Sequence, residues 1–256
     1  MKPGSLLITH AITPLAAFAV LFTMLAATDV DVAISNHFFD FAVGVWPQAS
    51  AWWSDTLIHS GGRVLVMGYV LSVLSLLLLA TFRAASRPWA RPAGYLLSSI
   101  ALILMTTGAM KHLSNVPCPF QVDLYGGNWP FVPFFATRSY VLDGVGCFPG
   151  GHSGGGFSFI AVYFALRERY PGAALAALAG GLAIGSLFAF GQLVRGQHFV
   201  SHDLASAAIA WGIALGAYMI AFRGRLWSTP GGHEAPASGD AGVLPPGAGW
   251  ALSGHF

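Results

Sequence analysis

The chain has 256 residues, of which 55% are hydrophobic and only 9% charged, with a formal net charge of +2. Its mean hydropathy is +0.65. A soluble domain would carry about 25% charged residues, so this composition excludes an ordinary soluble enzyme. The small net charge, without any basic run, excludes nucleic-acid binding.

Six apolar stretches are each near the ~20 residues that cross a bilayer as a helix. They fall at roughly 9–28, 63–83, 93–111, 153–167, 172–191 and 204–222. The first could pass for a signal peptide, but the spans that follow it favour a retained helix. The fourth is short and glycine-rich at its start. These spans predict an all-α, polytopic membrane protein: a six-helix transmembrane bundle occupying residues 1–227. Residues 228–256, rich in Gly, Pro and Ala, read as a disordered cytoplasmic tail.

Basic residues orient the bundle. With both termini cytoplasmic, Lys2, Arg83, Arg87, Arg91, Arg167, Arg169, Arg223 and Arg225 lie inside, eight of the twelve basic residues. Arg63, Lys111, Arg138 and Arg195 then lie outside, as do the loops 29–62, 112–152 and 192–203. The first of these loops carries Phe38, Phe39, Phe41, Trp46, Trp52 and Trp53. Aromatics at this density suit the headgroup layer, so the loop reads as one or two short interfacial helices whose main role is anchoring. Both cysteines, Cys118 and Cys147, fall in the second outer loop. They are either two free thiols or one disulfide, and their shared location favours the disulfide.

Chemistry concentrates at three junctions between an outer loop and a helix. The first is Lys111-His112-Leu113-Ser114-Asn115-Val116-Pro117-Cys118-Pro119. The second is Pro149-Gly150-Gly151-His152, where glycine backbone at a helix start suits an anion. The third runs from Gln192 through Arg195, His198 and His202 to Asp203. Ionisable groups at a membrane edge are expensive and are therefore candidates for function. A cation, an imidazole and a carboxylate together suit phosphate chemistry. Each cluster has an ordinary alternative: a snorkelling lysine, small-residue helix packing, or polar residues capping a span. His198 and His202 are also spaced i, i+4, a pattern that zinc sites use.

In their order the three clusters resemble the type 2 phosphatidic acid phosphatase superfamily, whose wider relatives include glucose-6-phosphatase and vanadium haloperoxidases. Its motifs are Lys-x6-Arg-Pro, Pro-Ser-Gly-His and Ser-Arg-x5-His-x3-Asp. Lys111, Pro119, Pro149, Gly151, His152 and His198 hold their places. The departures are specific. Cys118 and Gln192 stand where the family has arginine, Gly150 stands for serine, and His202 stands for aspartate with Asp203 one residue later.

The resemblance implies a metal-independent phosphatase that needs no cofactor. His198 would attack phosphorus to form a phosphohistidine. His152 would protonate the leaving alkoxide, and Asp203, or alternatively His202, would orient His198. Lys111, Arg195 and the backbone of Gly150 and Gly151 would hold the phosphate, with Arg138 and Gln192 in support. The expected substrate is a lipid phosphate (a phospholipid, a polyprenyl diphosphate or lipid A) drawn from the surrounding membrane lipids. The expected place is the periplasmic face of a bacterial inner membrane. A lipid phosphotransferase, a transporter and a non-catalytic relative are the alternatives.

Overall fold

The structure is a computed structural model that describes residues 7–144, 146–223 and 226. The expected tail, residues 228–256, lies outside the described residues. Helix α1 spans Leu7–Ala27, and α2 is the short Val30–Asn36. Helix α3 spans Trp52–Phe82, with π-helical turns over Trp52–Ser60. Helix α4 is Ala90–Leu113. Helix α5 covers residues 151–166, where the 3-10 turn Ser158–Ile160 joins Gly151–Phe157 to Ala161–Leu166. Helix α6 is Pro171–Leu193, and α7 spans Val200–Ala221. No β-sheet forms among the described residues.

Among the described residues, five helices are long and apolar enough to cross a membrane: α1, α3, α6, α7 and the stretch Ala84–Leu113 that contains α4. The sixth expected span, α5, is shorter and sits in the middle. Its Phe157, Ile160, Ala161, Phe164 and Ala165 pack with Tyr95, Ile100 and Ile103 of α4 and with Ala207, Ala210 and Ala214 of α7. Small residues permit this. A Cβ on Gly156 would lie 2.8 Å from the Cα of Gly185, so α5 and α6 touch backbone to backbone. Meanwhile Val20, Val64, Met105, Leu175 and Ile220 face outward. An apolar belt of this kind needs a lipid solvent, and helices satisfy their own backbone within it. The chain is a multi-pass membrane protein.

A second, smaller core lies in the loops at one end of the bundle. Phe39 and Trp46 are buried there against Val122, Tyr125 and Phe199. Of the six aromatics in the first loop, Phe41 and Trp52 project outward, at 61% and 68% exposure, and the anchoring expected of the loop fits those two. Phe39 and Trp46 instead fasten the loop to the segments that carry the candidate site. The loop before α5 is stitched to the end of α4 as well. Gly146 N–H donates to Lys111 O, Cys147 N–H to Val116 O, and Ser114 Oγ to Phe148 O. Cys118 and Cys147 form the disulfide, closing a loop worth roughly 3–4 kcal/mol on the chain-entropy account.

Helix α2 caps α7 from a distance. Phe199, at the α7 N-cap position, supplies no side-chain cap. The Ser201 N–H instead donates to Asp31 Oδ1 at 3.0 Å. A carboxylate there suits the helix dipole, but burial works against its charge. Burial outweighs the hydrogen bonds from Ser201 and raises the Asp31 carboxyl to about 6 from its ordinary 3.8. The folded chain therefore holds this proton more tightly than the unfolded chain does. That contribution to stability is complete at the unfolded pKa and below, and it is lost as pH rises through about 6. The thermal midpoint should fall across this window, and Asp31→Asn should flatten the fall. An unchanged pH slope in the variant would refute the assignment.

Candidate active site

The N-terminus of α5, the N-terminus of α7, the C-termini of α4 and α6 and the first turns of α3 meet at one end of the bundle. Between them lies a cavity of ≈ 600 Å³. Its polar end is lined by His59, Arg63, Lys111, Gly151, His152, Gln192, Gln197 and His198. Val66, Met67 and Val70 of α3 and Leu104 of α4 continue the cavity as an apolar wall.

The geometry pairs His198 with Asp203 and not with His202. His198 Nδ1 lies 2.8 Å from Asp203 Oδ1, with both side chains 5% exposed. With the Nδ1–H donating to that carboxylate, the lone pair of the neutral ring lies on Nε2. Ser153 Oγ donates to the same Oδ1 at 2.6 Å. His202, at the family's aspartate position, turns away and packs edge-on to Phe148 and Phe199. It lines a separate, smaller cavity with Asp31, Ser201 and Arg138. Because α7 begins at Val200, residues 202 and 203 point to different sides of the first turn, about 100° apart. That rotation gives Asp203 the place the motif spacing assigns to 202. The His198 and His202 rings are 6.2 Å apart, and no group of three metal-ligating side chains converges among the described residues.

Gly150 follows from the same carboxylate. A Cβ there would fall 2.2 Å from Asp203 Oδ1, 2.4 Å from Ser153 Oγ and 2.8 Å from His198 Nδ1. The family's serine does not fit at this position; Ser153, three residues on, brings a hydroxyl to Asp203 instead. The Gly150 amide is not free for a substrate, contrary to expectation, because its N–H donates to His202 O at 3.1 Å. Ser206 Oγ holds the Gly150 carbonyl at 2.7 Å, so the α5 N-cap is bolted to α7. Gly151 does line the cavity, and the Lys111 side chain lies over it; a Cβ on Gly151 would be 3.9 Å from Nζ.

His152 projects from the first turn of α5. It stacks on Phe188 at 4.4 Å, tilts against His59 at 4.8 Å, and its Nε2 sits 3.3 Å from Ile58 O. The carbonyl can only accept, so Nε2 carries a proton there and Nδ1 is available to exchange one.

Two expected phosphate ligands lie elsewhere. Arg195 falls beyond the end of α6 and is drawn to the first loop: Nη2 pairs with Asp55 Oδ1 at 2.6 Å and Nε donates to Ala49 O. It is absent from the cavity wall. Arg138 donates to the carbonyls of Val132 and Phe134 and faces the smaller cavity. Sequence reasoning overlooked Ser153, His59, Arg63 and Gln197. Ser153 had a visible signal in directly following His152. Arg63 had one as a cation at the outer end of a span.

A model described as the PAP2 superfamily matches residues 92–225, over half of the sequence. The chain belongs to the PAP2 superfamily. No curated protein matches it. Among solved structures it is similar to a transmembrane PAP2 type phosphatidylglycerolphosphate phosphatase from Bacillus subtilis. The sequence identity is 15% and the TM-score 0.53, with 82% of this chain and 97% of the other covered. At that identity the likeness is one of fold.

Two substitutions probe the carboxylate. Asp203→Asn should lower kcat by about 10⁴-fold, the loss seen when a catalytic imidazole is held in the wrong tautomer. Gly150→Ser should crowd the same group and cost at least about 10²-fold, the scale of a 1 Å misplacement. Both are read from steady-state kinetics on purified protein. If His202→Asn costs more turnover than Asp203→Asn at equal thermal stability, the pairing of His198 with Asp203 is not the working one.

Proposed function

We propose that this protein is a membrane-embedded lipid phosphatase working through a phosphohistidine. The observation that carries the reading is the His198–Asp203 pair opening onto the cavity that Lys111 and His152 also line. In the first step His198 Nε2 attacks phosphorus, the P–O bond to the lipid breaks, and His152 gives its proton to the departing alkoxide. In the second step His152 takes a proton from water, whose oxygen attacks phosphorus and releases phosphate from His198. Splitting the reaction this way suits imidazole, a good nucleophile and a good leaving group once protonated. Lys111 and the first-turn amides of α5 lie where charge grows on the phosphoryl oxygens, and fixed donors of this kind supply much of an enzyme's acceleration.

A lipid substrate is supported by the shape of the cavity. The polar end holds a phosphate, while Val66, Met67, Val70 and Leu104 line a wall for an apolar chain. Placement on the outer face of a bacterial inner membrane is supported by the basic loops. Arg83, Arg87, Arg91, Arg167 and Arg169 sit at the opposite end of the helices from the cavity, as the positive-inside rule asks of a cytoplasmic end.

Phosphate release from a panel of lipid phosphates tests the reading. His198→Ala should abolish turnover. His152→Ala should slow it by about 10²–10⁴-fold and spare substrates with good leaving groups most. Acid-labile, base-stable label should accumulate on the wild type after a rapid quench and be missing from His198→Ala. Wild-type phosphate release by His198→Ala would end the proposal.

A further inference from the structure

We infer that Arg63 is the second permanent cation of the phosphate site, supplying from α3 the charge that α6 lacks at Gln192. The inference rests on the phosphatase reading above. A phosphoryl group in transfer spreads negative charge over three oxygens, and Lys111 alone among the expected cations reaches the cavity. Cys118 is consumed by the disulfide, Arg195 by Asp55, and Arg138 faces another cavity.

Arg63 lines the same cavity as His198, His152 and Lys111. It is tied to the position of the missing arginine by a chain of contacts. Gln192, at the end of α6 and 3% exposed, lies 2.7 Å from His59 Nδ1. His59 Nε2 lies 2.6 Å from Arg63 Nη2. Guanidinium can only donate, so His59 Nε2 accepts, and Nδ1 of the neutral ring carries the proton. Gln192 must therefore turn its carboxamide oxygen to His59, the end that rotation of the amide exchanges with nitrogen. The chain Gln192–His59–Arg63 then has a consistent direction and holds the exposed Arg63 guanidinium by one hydrogen bond, one turn beyond His59 on α3.

Two more observations place it against the reacting group. Gly62, the residue beside Arg63, has no room for a side chain: a Cβ would lie 2.9 Å from the His152 imidazole and 2.7 Å from Phe188. Helix α3 therefore presses on the residue that serves the leaving group. Arg63 also has no carboxylate partner among the described residues, unlike Arg195. Of its five donors, one goes to His59. The others are open to an anion in the cavity that Lys111 and His152 also line.

The test uses the full-length protein in detergent or nanodiscs, with inorganic phosphate as the binding probe and lipid-phosphate turnover as a separate readout. Arg63→Gln should weaken phosphate binding by about 10–100-fold, the range for a lost charge-assisted hydrogen bond. It should lower kcat/KM by about 10²-fold or more. Arg63→Lys should recover part of both. Arg63→Gln combined with Gln192→Arg, which returns the charge to α6, should recover more activity than Arg63→Gln alone. Unchanged phosphate affinity in Arg63→Gln overturns the inference, as does a larger loss from Arg195→Gln. Failure of the phosphatase reading looks different: no lipid phosphate is turned over by the wild type, whatever Arg63 does to phosphate binding.

Discussion

The buried carboxylate of Asp203 constrains everything around the site. It is 4% exposed, and one oxygen receives both His198 Nδ1 and Ser153 Oγ. A buried carboxylate is tolerated where hydrogen-bond donors are in place; here Ser153 comes from α5 and His198 from the loop before α7, both on Oδ1, while Oδ2 has no partner. The Ser153–Asp203 bond ties α5 to α7. Gly150 is the consequence on one side, since no Cβ fits next to that oxygen. The exclusion of His202 is the consequence on the other, because one turn of helix offers only one side chain to His198.

Seen this way, the departures from the family motifs are not independent losses. Serine at 150 is incompatible with Asp203 where it stands, and the hydroxyl of Ser153 takes up the carboxylate instead. Cys118, in place of arginine, forms with Cys147 a covalent brace on the loop that delivers Gly150 and His152. Gln192, in place of the other arginine, is retained as a polar residue because it has a partner in His59. Each replacement is matched by a neighbour that makes sense only with the replacement present.

How much of this was legible beforehand follows from which interactions are local in sequence. Hydropathy located α1 and α3 to α7, because apolar length and composition need no tertiary information; it missed the short α2. The order of Lys111, His152 and His198 carried the family, because those residues sit at fixed offsets within short motifs. Asp203 against His202 was undecidable by counting, since the answer depends on where α7 begins and thus on helix phase. Arg195 was misplaced because its partner, Asp55, is 140 residues away. The aromatic loop was legible only in part for a related reason: burial of Phe39 and Trp46 depends on Tyr125 and Phe199, which no local pattern connects to them. Arg63 lies outside the matched residues 92–225 altogether.

The length of α5 explains why the site can be both buried and reachable. Its sixteen residues rise about 24 Å, short of the ~30 Å hydrocarbon layer. A helix that cannot span must end within the bundle, and the space beyond its N-terminus has to be filled by other backbone. Here the Cys147–Gly150 strap and the first turn of α7 fill it. Irregular backbone at such depth is tolerated only where protein covers it or it lines a cavity, and both hold here. In the proposed mechanism Lys111 and His198 would therefore act in surroundings less polarisable than water, where a given charge acts more strongly. The glycine-rich start of α5 thus serves two ends: it lets α6 close in on the short helix, and at Gly151 and Gly155 it leaves room for the cavity.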